Sequence, residues 1–149
     1  MNQVTNKIEL KKALGKDVAY IYALYNEEIH TTWSEDDFHL FRKENNKDLY
    51  KILLNENCVG FIMLVRVKPE ADLINIAVAK PLQSIGIGTM ALEKLYGQLR
   101  KKGINKINLE VKKDSKAHKF YLKNGFLTTG CREKYYIDQT DAILMLKNI

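Results

Sequence analysis

The chain has 149 residues, of which 46% are hydrophobic and 28% charged, so it is able to bury a core without disulfides or structural metals. Its formal net charge of +6 points to anionic partners without selecting a class of them. Cys58 and Cys131 form no Cys-x-x-Cys pair, and no apolar run reaches the roughly 18–20 residues that span a bilayer. The N-terminus lacks the apolar core of a signal peptide. We expect one cytoplasmic domain over residues 1–149, with no metal, no membrane contact and no direct nucleic-acid contact.

Apolar periodicity divides the chain into strands and helices. In chain order, the predicted elements are a strand Ile8–Ala13, a helix Asp17–His30, a short helix from Ser34 through Phe41, strands Leu49–Leu54, Val59–Val67 and Ala71–Val78, a helix Thr89–Lys102, a strand Lys106–Val111, a helix Ser115–Asn124, and strands Phe126–Arg132 and Asp141–Leu146. Antiparallel strands are thus followed by a strand–loop–helix–strand–helix unit and a final hairpin. This order predicts an α+β fold.

The loop between Val78 and the following helix is the feature that points to a function. Its core reads Gln83-x-x-Gly86-x-Gly88. Glycine permits positive φ and close approach of a ligand, and the first N–H groups of a helix have no partner within the helix. Together they predict an anion site suited to phosphate. A tight turn without a ligand explains the two glycines equally well, whereas a Gly-Lys-Ser/Thr loop and a three-glycine dinucleotide fingerprint are both excluded.

The order of elements, with this loop between the fourth strand and the third helix, resembles the GCN5-related N-acetyltransferase (GNAT) superfamily. The sequence Asn75-Ile76-Ala77-Val78 is similar to the superfamily's strand before the loop. The resemblance implies a mixed central sheet of about seven strands with about four helices. It also implies that the loop binds the pyrophosphate of acetyl-coenzyme A.

Two further segments resemble the RimI-type enzymes within this superfamily. Cys131–Tyr136 followed by Asp141–Met145 is similar to their Arg-x-x-Tyr-Tyr…Asp-Ala-x-x-Met ending, and Ile29–Ser34 is similar to a segment ending Pro-Trp-Ser, with Thr32 in place of the proline. Those enzymes acetylate the N-terminal alanine of a small-subunit ribosomal protein. The resemblance therefore implies an acetyl-CoA-dependent N-acetyltransferase whose substrate is a ribosomal-protein N-terminal peptide.

Glu110 is the candidate general base. Apolar residues alternate along Lys106–Val111, which leaves Asn108 and Glu110 on the opposite face of the strand. A solvent-facing glutamate explains this pattern too, and the resemblance to the family's Leu-Glu-Val motif favours the base. An α-ammonium has a pKa of about 7.7–8.0, so its deprotonation at pH 7 costs only about 1–1.4 kcal/mol and a modest base suffices.

Tyr121 is the candidate general acid. The run Phe120–Phe126 resembles the superfamily's Leu-Tyr-x-x-x-Gly-Phe, whose tyrosine protonates the departing thiolate. A packed helix tyrosine is the alternative, because Ala117, Phe120 and Tyr121 share one face.

The resemblance also implies the remaining site residues. Those expected at acetyl-CoA are Ile76, Ala77, Val78, Gln83, Ser84, Ile85, Gly86, Ile87, Gly88, Thr89, Asp114 and Tyr121. Asp114 stands where the family has asparagine, so it either caps the next helix or faces the pantetheine arm. Those expected at the peptide are Trp33, Arg132, Tyr135 and Tyr136, although an isolated tryptophan is as well explained as a core residue.

Two other functions remain open at this stage. One alternative is an acetyltransferase of the same superfamily that acts on a small amine or a protein lysine. A broad preference among amines would favour this hypothesis. A non-catalytic basic module that binds ribosome or RNA also fits the charge, but the chain lacks interleaved aromatic and basic residues. The lysines Lys116, Lys119 and Lys123 are interpreted as a solvated helix face.

Overall fold

The fold, seen in a computed structural model that describes residues 7–28 and 33–149, combines seven strands with four α-helices. Its elements are β1 Ile8–Lys12, α1 Val18–Glu28, α2 Glu35–Lys43, β2 Lys47–Leu54, β3 Asn57–Val67, β4 Glu70–Val78, α3 Ile87–Lys101, β5 Lys106–Lys112, α4 Lys116–Lys123, β6 Leu127–Arg132 and β7 Ala142–Asn148. The strands form one sheet in the order β1-β2-β3-β4-β5-β7-β6. The prediction of a mixed seven-stranded sheet with four helices is confirmed.

Local sequence signals set most of the element boundaries. Ser34 caps α2 and forms a reciprocal capping box with Asp37. Asn55 and Glu56 both have positive φ, 49° and 73°, which makes the two-residue turn that joins β2 to β3. Ser115 caps α4 by accepting the His118 N–H at 3.1 Å.

Several boundaries differ by one or two residues from the sequence prediction. Helix α3 begins at Ile87 rather than Thr89, because Gly86 takes the N-cap position in the left-handed conformation. Strand β2 begins at Lys47 rather than Leu49. Residues 29–32 lie outside the described part of the chain, and so does most of the segment that resembles Pro-Trp-Ser.

Helices cover both faces of the sheet, because alternate strand residues point to opposite sides. On one face α3 and α4 pack on a cluster that includes Ile62, Leu92, Leu95, Ile107 and Leu109. On the other face α1 and α2 pack on a cluster that includes Ile21, Phe38, Leu49, Phe61 and Met63. Strands β2 and β3 are thus buried on both sides, whereas Asp72 of β4 and Glu110 of β5 are exposed on the face opposite to α3 and α4.

Strands β4 and β5 diverge toward their carboxyl ends. They are the parallel pair of the sheet, and their register runs only from Glu70–Asp72 against Lys106–Asn108. The other pairs of neighbouring strands are antiparallel and pair over most of their length. A gap therefore opens between the carboxyl ends of β4 and β5, where ligands bind in sheets of this kind.

Candidate active site

The loop before α3 forms a concave surface of main-chain N–H groups. Ser84 and Gly86 have φ of 66° and 92°, so left-handed residues alternate with ordinary ones. The hydrogen bond from Met90 N to Gly86 O, at 3.0 Å, is the first of the helix, which leaves the preceding amides of the first turn without an intrahelical acceptor. A Cβ placed on Gly86 would meet nothing within 4 Å. The loop is open at Gly86, and its use as an anion site stays a prediction.

Gly88 serves a different purpose from Gly86. A Cβ at Gly88 would lie 3.1 Å from the Phe120 ring, which is tighter than ordinary van der Waals contact. The missing side chain therefore lets the first turn of α3 pack against α4. The role of Gly88 at acetyl-CoA, which the family resemblance implies, stays a prediction.

The Gln83 side chain ties the loop to both neighbouring elements. Its Nε2 donates to Val78 O at 2.8 Å, and its Oε1 accepts from Lys116 Nζ at 2.6 Å. Lys116 is exposed, as a solvated helix face requires, and its ammonium also lies beside the anion loop. The helical spacing of the lysines carries no signal for this contact, since Gln83 and Lys116 are 33 residues apart in sequence.

The open edge of β4 offers main-chain groups to the gap. Ala79 N donates to Val59 O at 2.8 Å, so alternation directs Ala79 and Ala77 to β3, and Ile76 and Val78 to the gap. A Cβ at Gly60 would lie 2.3 Å from Ala77 O, which agrees with this direction. Of the three strand residues predicted at acetyl-CoA, Ile76 and Val78 have main-chain groups facing the gap, whereas those of Ala77 are used in the sheet.

Glu110 lies on the face of β5 opposite to α3 and α4, in a groove of about 440 Å³. The groove is lined by Asp72, Leu73, Ile74, Asn108, Leu109, Glu110, Tyr135, Tyr136 and Leu144. The Glu110 side chain is 34% exposed, and its Oε1 lies 3.2 Å from Nε of Arg132. The structure thus brings together Glu110, Arg132, Tyr135 and Tyr136, and their roles as base and peptide wall stay predictions.

The segment between β6 and β7 forms one wall of this groove. The Tyr135 and Tyr136 rings meet edge to face at 5.2 Å, and the Arg132 guanidinium lies 5.9 Å from the centre of the Tyr135 ring. Burial, together with the negative charge of Glu110, raises the pKa of the Tyr136 hydroxyl. Tyr136 therefore stays protonated and is able to donate a hydrogen bond into the groove.

Tyr121 lies on the opposite face of the sheet from Glu110. Its ring packs edge to face on Phe126 at 5.4 Å, and the residue is only 6% exposed. Burial, and secondly the neighbouring Tyr96, raises the pKa of the Tyr121 hydroxyl well above its usual range. The group is therefore protonated at neutral pH, which is the state that a proton donor requires.

Two predicted residues take positions that the sequence does not foresee. Asp114 has a φ of 59° and its main-chain N–H donates to His118 Nδ1 at 3.0 Å, while Ser115 rather than Asp114 caps α4. Trp33 packs edge to face on Phe38 and Phe41, in the core below α2. It lines a separate groove of about 330 Å³ and not the one that contains Glu110. The role of Asp114 at the cofactor and that of Trp33 at the peptide stay predictions.

Asp72 and Asn108 also line the Glu110 groove, although neither is among the site residues predicted from the sequence. Each lies opposite the other in the parallel pairing of β4 and β5. The polar alternation within each strand was visible in the sequence. Only the register between the strands shows that the two residues meet.

Comparison with known proteins agrees with this geometry. The model of the Acetyltransferase (GNAT) family matches residues 18–126. A [ribosomal protein bS18]-alanine N-acetyltransferase of Haemophilus influenzae is 36% identical over 97 residues, which are 63% of this chain and 66% of that protein. Its counterpart in Salmonella typhimurium is 33% identical over 117 residues, 76% of this chain and 78% of that protein.

A solved structure shows the same fold. The ribosomal-protein-S18-alanine N-acetyltransferase of Escherichia coli superimposes with a TM-score of 0.83 at 28% identity, covering 96% of this chain and 94% of that one. In the described ranges, 7–28 and 33–149, no helix is long and apolar enough to cross a membrane. The same residues contain no group of three or more His, Cys, Asp or Glu side chains that could hold a metal ion. The chain belongs to the acetyltransferase (GNAT) family, which confirms the predicted class of acetyl-CoA-dependent N-acetyltransferase at the level of the family.

Proposed function

We propose that this protein acetylates the N-terminal α-amine of a ribosomal-protein peptide, with alanine as the first residue. The observation that carries the proposal is the position of the β4–β5 gap. At this gap the Glu110 groove lies on one face of the sheet, and Tyr121 and the anion loop lie on the other face. A substrate amine and an acetyl thioester are thus able to approach the same gap from opposite sides.

The residues of the loop fit the phosphates of acetyl-coenzyme A. The site offers unpaired amides at the start of α3, an open position at Gly86 and the ammonium of Lys116. Acetyl-coenzyme A supplies the activated acetyl group. We infer that the main-chain groups of Ile76 and Val78 hold its pantetheine arm and that backbone N–H groups at the gap polarise the thioester carbonyl.

Glu110 and Tyr121 divide the proton transfers between them. Glu110 takes the proton of the incoming α-ammonium, either directly or through one water. Tyr121 holds a proton for the departing sulfur. The raised pKa of the Tyr121 hydroxyl by itself makes this proton transfer less favourable. Desolvation in the same buried pocket also raises the pKa of the coenzyme A thiol, which offsets that effect.

The named relatives support the choice of acceptor. Two relatives of 33–36% identity are named as bS18-alanine N-acetyltransferases. The solved structure of a similarly named enzyme superimposes on nearly the whole chain. A ribosomal protein is made in the cytosol, so we place the enzyme there.

The test is acetyl transfer from labelled acetyl-coenzyme A to a peptide with the N-terminal sequence of bS18. A matched peptide has the same sequence with a blocked α-amine and one free lysine. Transfer to the free α-amine alone supports the proposal. Transfer to the lysine peptide favours a broader amine acetyltransferase, and coenzyme A binding with transfer to neither peptide rejects the proposed acceptor. Failure to bind coenzyme A, together with measurable binding of RNA, would favour the non-catalytic basic module.

A further inference from the structure

The Glu110 groove contains a second carboxylate, Asp72, whose negative charge is not balanced by an ion pair among the described residues. Asp72 is exposed on β4, and among the described residues its side chain has neither an ion pair nor a hydrogen bond. Its two acidic neighbours on the same face are each paired with a cation. Glu110 lies 3.2 Å from Arg132, and Glu70 lies 3.3 Å from Lys106. Asp72 is therefore the net negative charge of this groove, on a chain whose overall charge is +6.

The position of Asp72 relative to Glu110 follows from the strand register. Asp72 lies opposite Asn108 in the parallel pairing, and Glu110 follows Asn108 by two residues on the same face of β5. Strands about 4.8 Å apart with a rise of about 3.3 Å per residue place the two Cα atoms about 8 Å from each other. This separation matches the distance between a peptide's α-amine and a charged side chain one or two residues further on.

The remaining walls of the groove suit such a side chain. Ile74 and the ring of Tyr135 are exposed beside Asp72, 43% and 56% respectively, and contact the same groove. Aliphatic stems of lysine and arginine pack on such surfaces while the charged end reaches a carboxylate. An acidic side chain in the same place would meet Asp72 as a like charge.

We propose that Asp72 is a specificity-determining residue that selects peptides with lysine or arginine at the second or third position. The proposal rests on the proposed function, because it assumes that the α-amine is placed at Glu110. It adds a side-chain preference that the acetyl transfer itself does not require. Asp72 acts on binding of the acceptor and takes no proton in the reaction.

The test uses three peptides with a free N-terminal alanine that differ only at residues 2 and 3, which are both arginine, both glutamine or both glutamate. With saturating acetyl-coenzyme A, we expect the lowest KM for the arginine peptide. Asp72→Asn should raise that KM roughly two- to fivefold, the effect of one exposed ion pair, and should leave the glutamine peptide unchanged. Asp72→Lys should reverse the order of the arginine and glutamate peptides.

Glu93→Lys is the matched control. Glu93 is exposed on α3, which lies on the other face of the sheet, so this variant has the same change in net charge at a distance from the groove. It should keep the wild-type order of the peptides. Turnover of the glutamine peptide by both Asp72 variants shows that the fold and the acetyl transfer are intact.

The outcomes separate the two proposals. Equal ratios of KM in wild type and Asp72→Lys, with the glutamine peptide still acetylated, overturn the role of Asp72 and leave the proposed function standing. The same reversal in Glu93→Lys also overturns it, because the effect would then be one of net charge. Absence of transfer to every peptide rejects the proposed function and the role of Asp72 with it.

Discussion

The carboxylate of Glu110 on β5 and the guanidinium of Arg132 on β6 lie 3.2 Å apart across the intervening strand β7. The negative charge of the candidate base is therefore already balanced by Arg132 before a substrate arrives. If Glu110 is the base, as we propose, an incoming α-ammonium competes with Arg132 for the same carboxylate. We therefore expect binding of the acceptor and release of Arg132 to be linked in this groove.

Replacement of the candidate base tests this arrangement. We expect Glu110→Gln to lower kcat by about a hundredfold, since a positioned general base contributes at least that factor. We also expect a higher KM for the peptide, because Arg132 is then an unpaired cation that faces the substrate's ammonium. Initial rates over a range of peptide concentrations separate the two effects.

The double variant Glu110→Gln, Arg132→Gln serves as the control. It removes the repulsive cation but does not restore the base. The KM for the peptide should return toward the wild-type value while kcat stays low. A kcat equal to that of wild type in the single variant, at limiting pH, would remove Glu110 from the role of base.

Tyr121 and Tyr96 provide a matched pair of buried tyrosines for testing the candidate acid. Tyr121→Phe should lower kcat by about a hundredfold and leave the affinity for coenzyme A unchanged, because only a hydroxyl is lost. Tyr96→Phe should keep the activity. Its hydroxyl is buried without a hydrogen-bond partner among the described residues, and burial raises its pKa to about 12.

The pH dependence of Tyr121 follows from the direction of its pKa. Burial raises that pKa well above the usual value of about 10, so the hydroxyl keeps its proton throughout the range of ordinary assays. Wild-type kcat should show no loss from tyrosine ionisation as pH rises to about 9.5. Equal kcat values for Tyr121→Phe and wild type would contradict its role as acid.

Substitution at Gly86 tests the anion loop. Gly86→Glu should abolish coenzyme A binding, because it puts a bulky like charge at a cradle for phosphate and a side chain at a φ of 92°. Gly86→Ala introduces the strain without the charge and should weaken binding less. Calorimetric titration with coenzyme A measures both, and wild-type affinity in Gly86→Glu would place the phosphates elsewhere.

A buried ionic cluster around Asp48 should make the fold sensitive to acid. Asp48 is 1% exposed, and its carboxylate contacts Arg66 at 2.5 Å and Lys12 at 3.1 Å. Burial by itself raises the pKa of Asp48, but hydrogen bonds from Arg66 and Lys12 and the charge of Lys102 outweigh it and lower the pKa. Asp48→Asn should reduce the free energy of unfolding at pH 7 by about 3 kcal/mol, since it leaves the cations without their buried partner.

The sign of the pH effect follows from this lowered pKa. The stabilisation is complete above the unfolded value of about 3.9 and is lost as pH falls through the lower folded value. Urea unfolding at several pH values should therefore show the difference between wild type and Asp48→Asn shrinking below about pH 4. Asp36→Asn, an exposed change in α2, should shift stability by no more than about 0.5 kcal/mol. A difference that stays constant down to pH 2 would contradict the ionic origin.

Local patterns in the sequence determined most of the secondary structure and indicated the candidate site residues. Alternation in β5 placed Glu110 on the face away from its apolar neighbours, and the glycine loop indicated an anion cradle before α3. These features depend on residues within one turn or one strand of each other. The resemblance carried by a few motifs added the family and the candidate acid.

The tertiary structure alone decided which distant residues meet. The register of β4 on β5 brought Asp72 into the Glu110 groove, and the strand order β5-β7-β6 brought Arg132 to Glu110. The packing of α4 beside the loop brought Lys116 to Gln83. Strand register and helix packing minimise the free energy of the whole core, so no pattern within a single segment specifies these contacts.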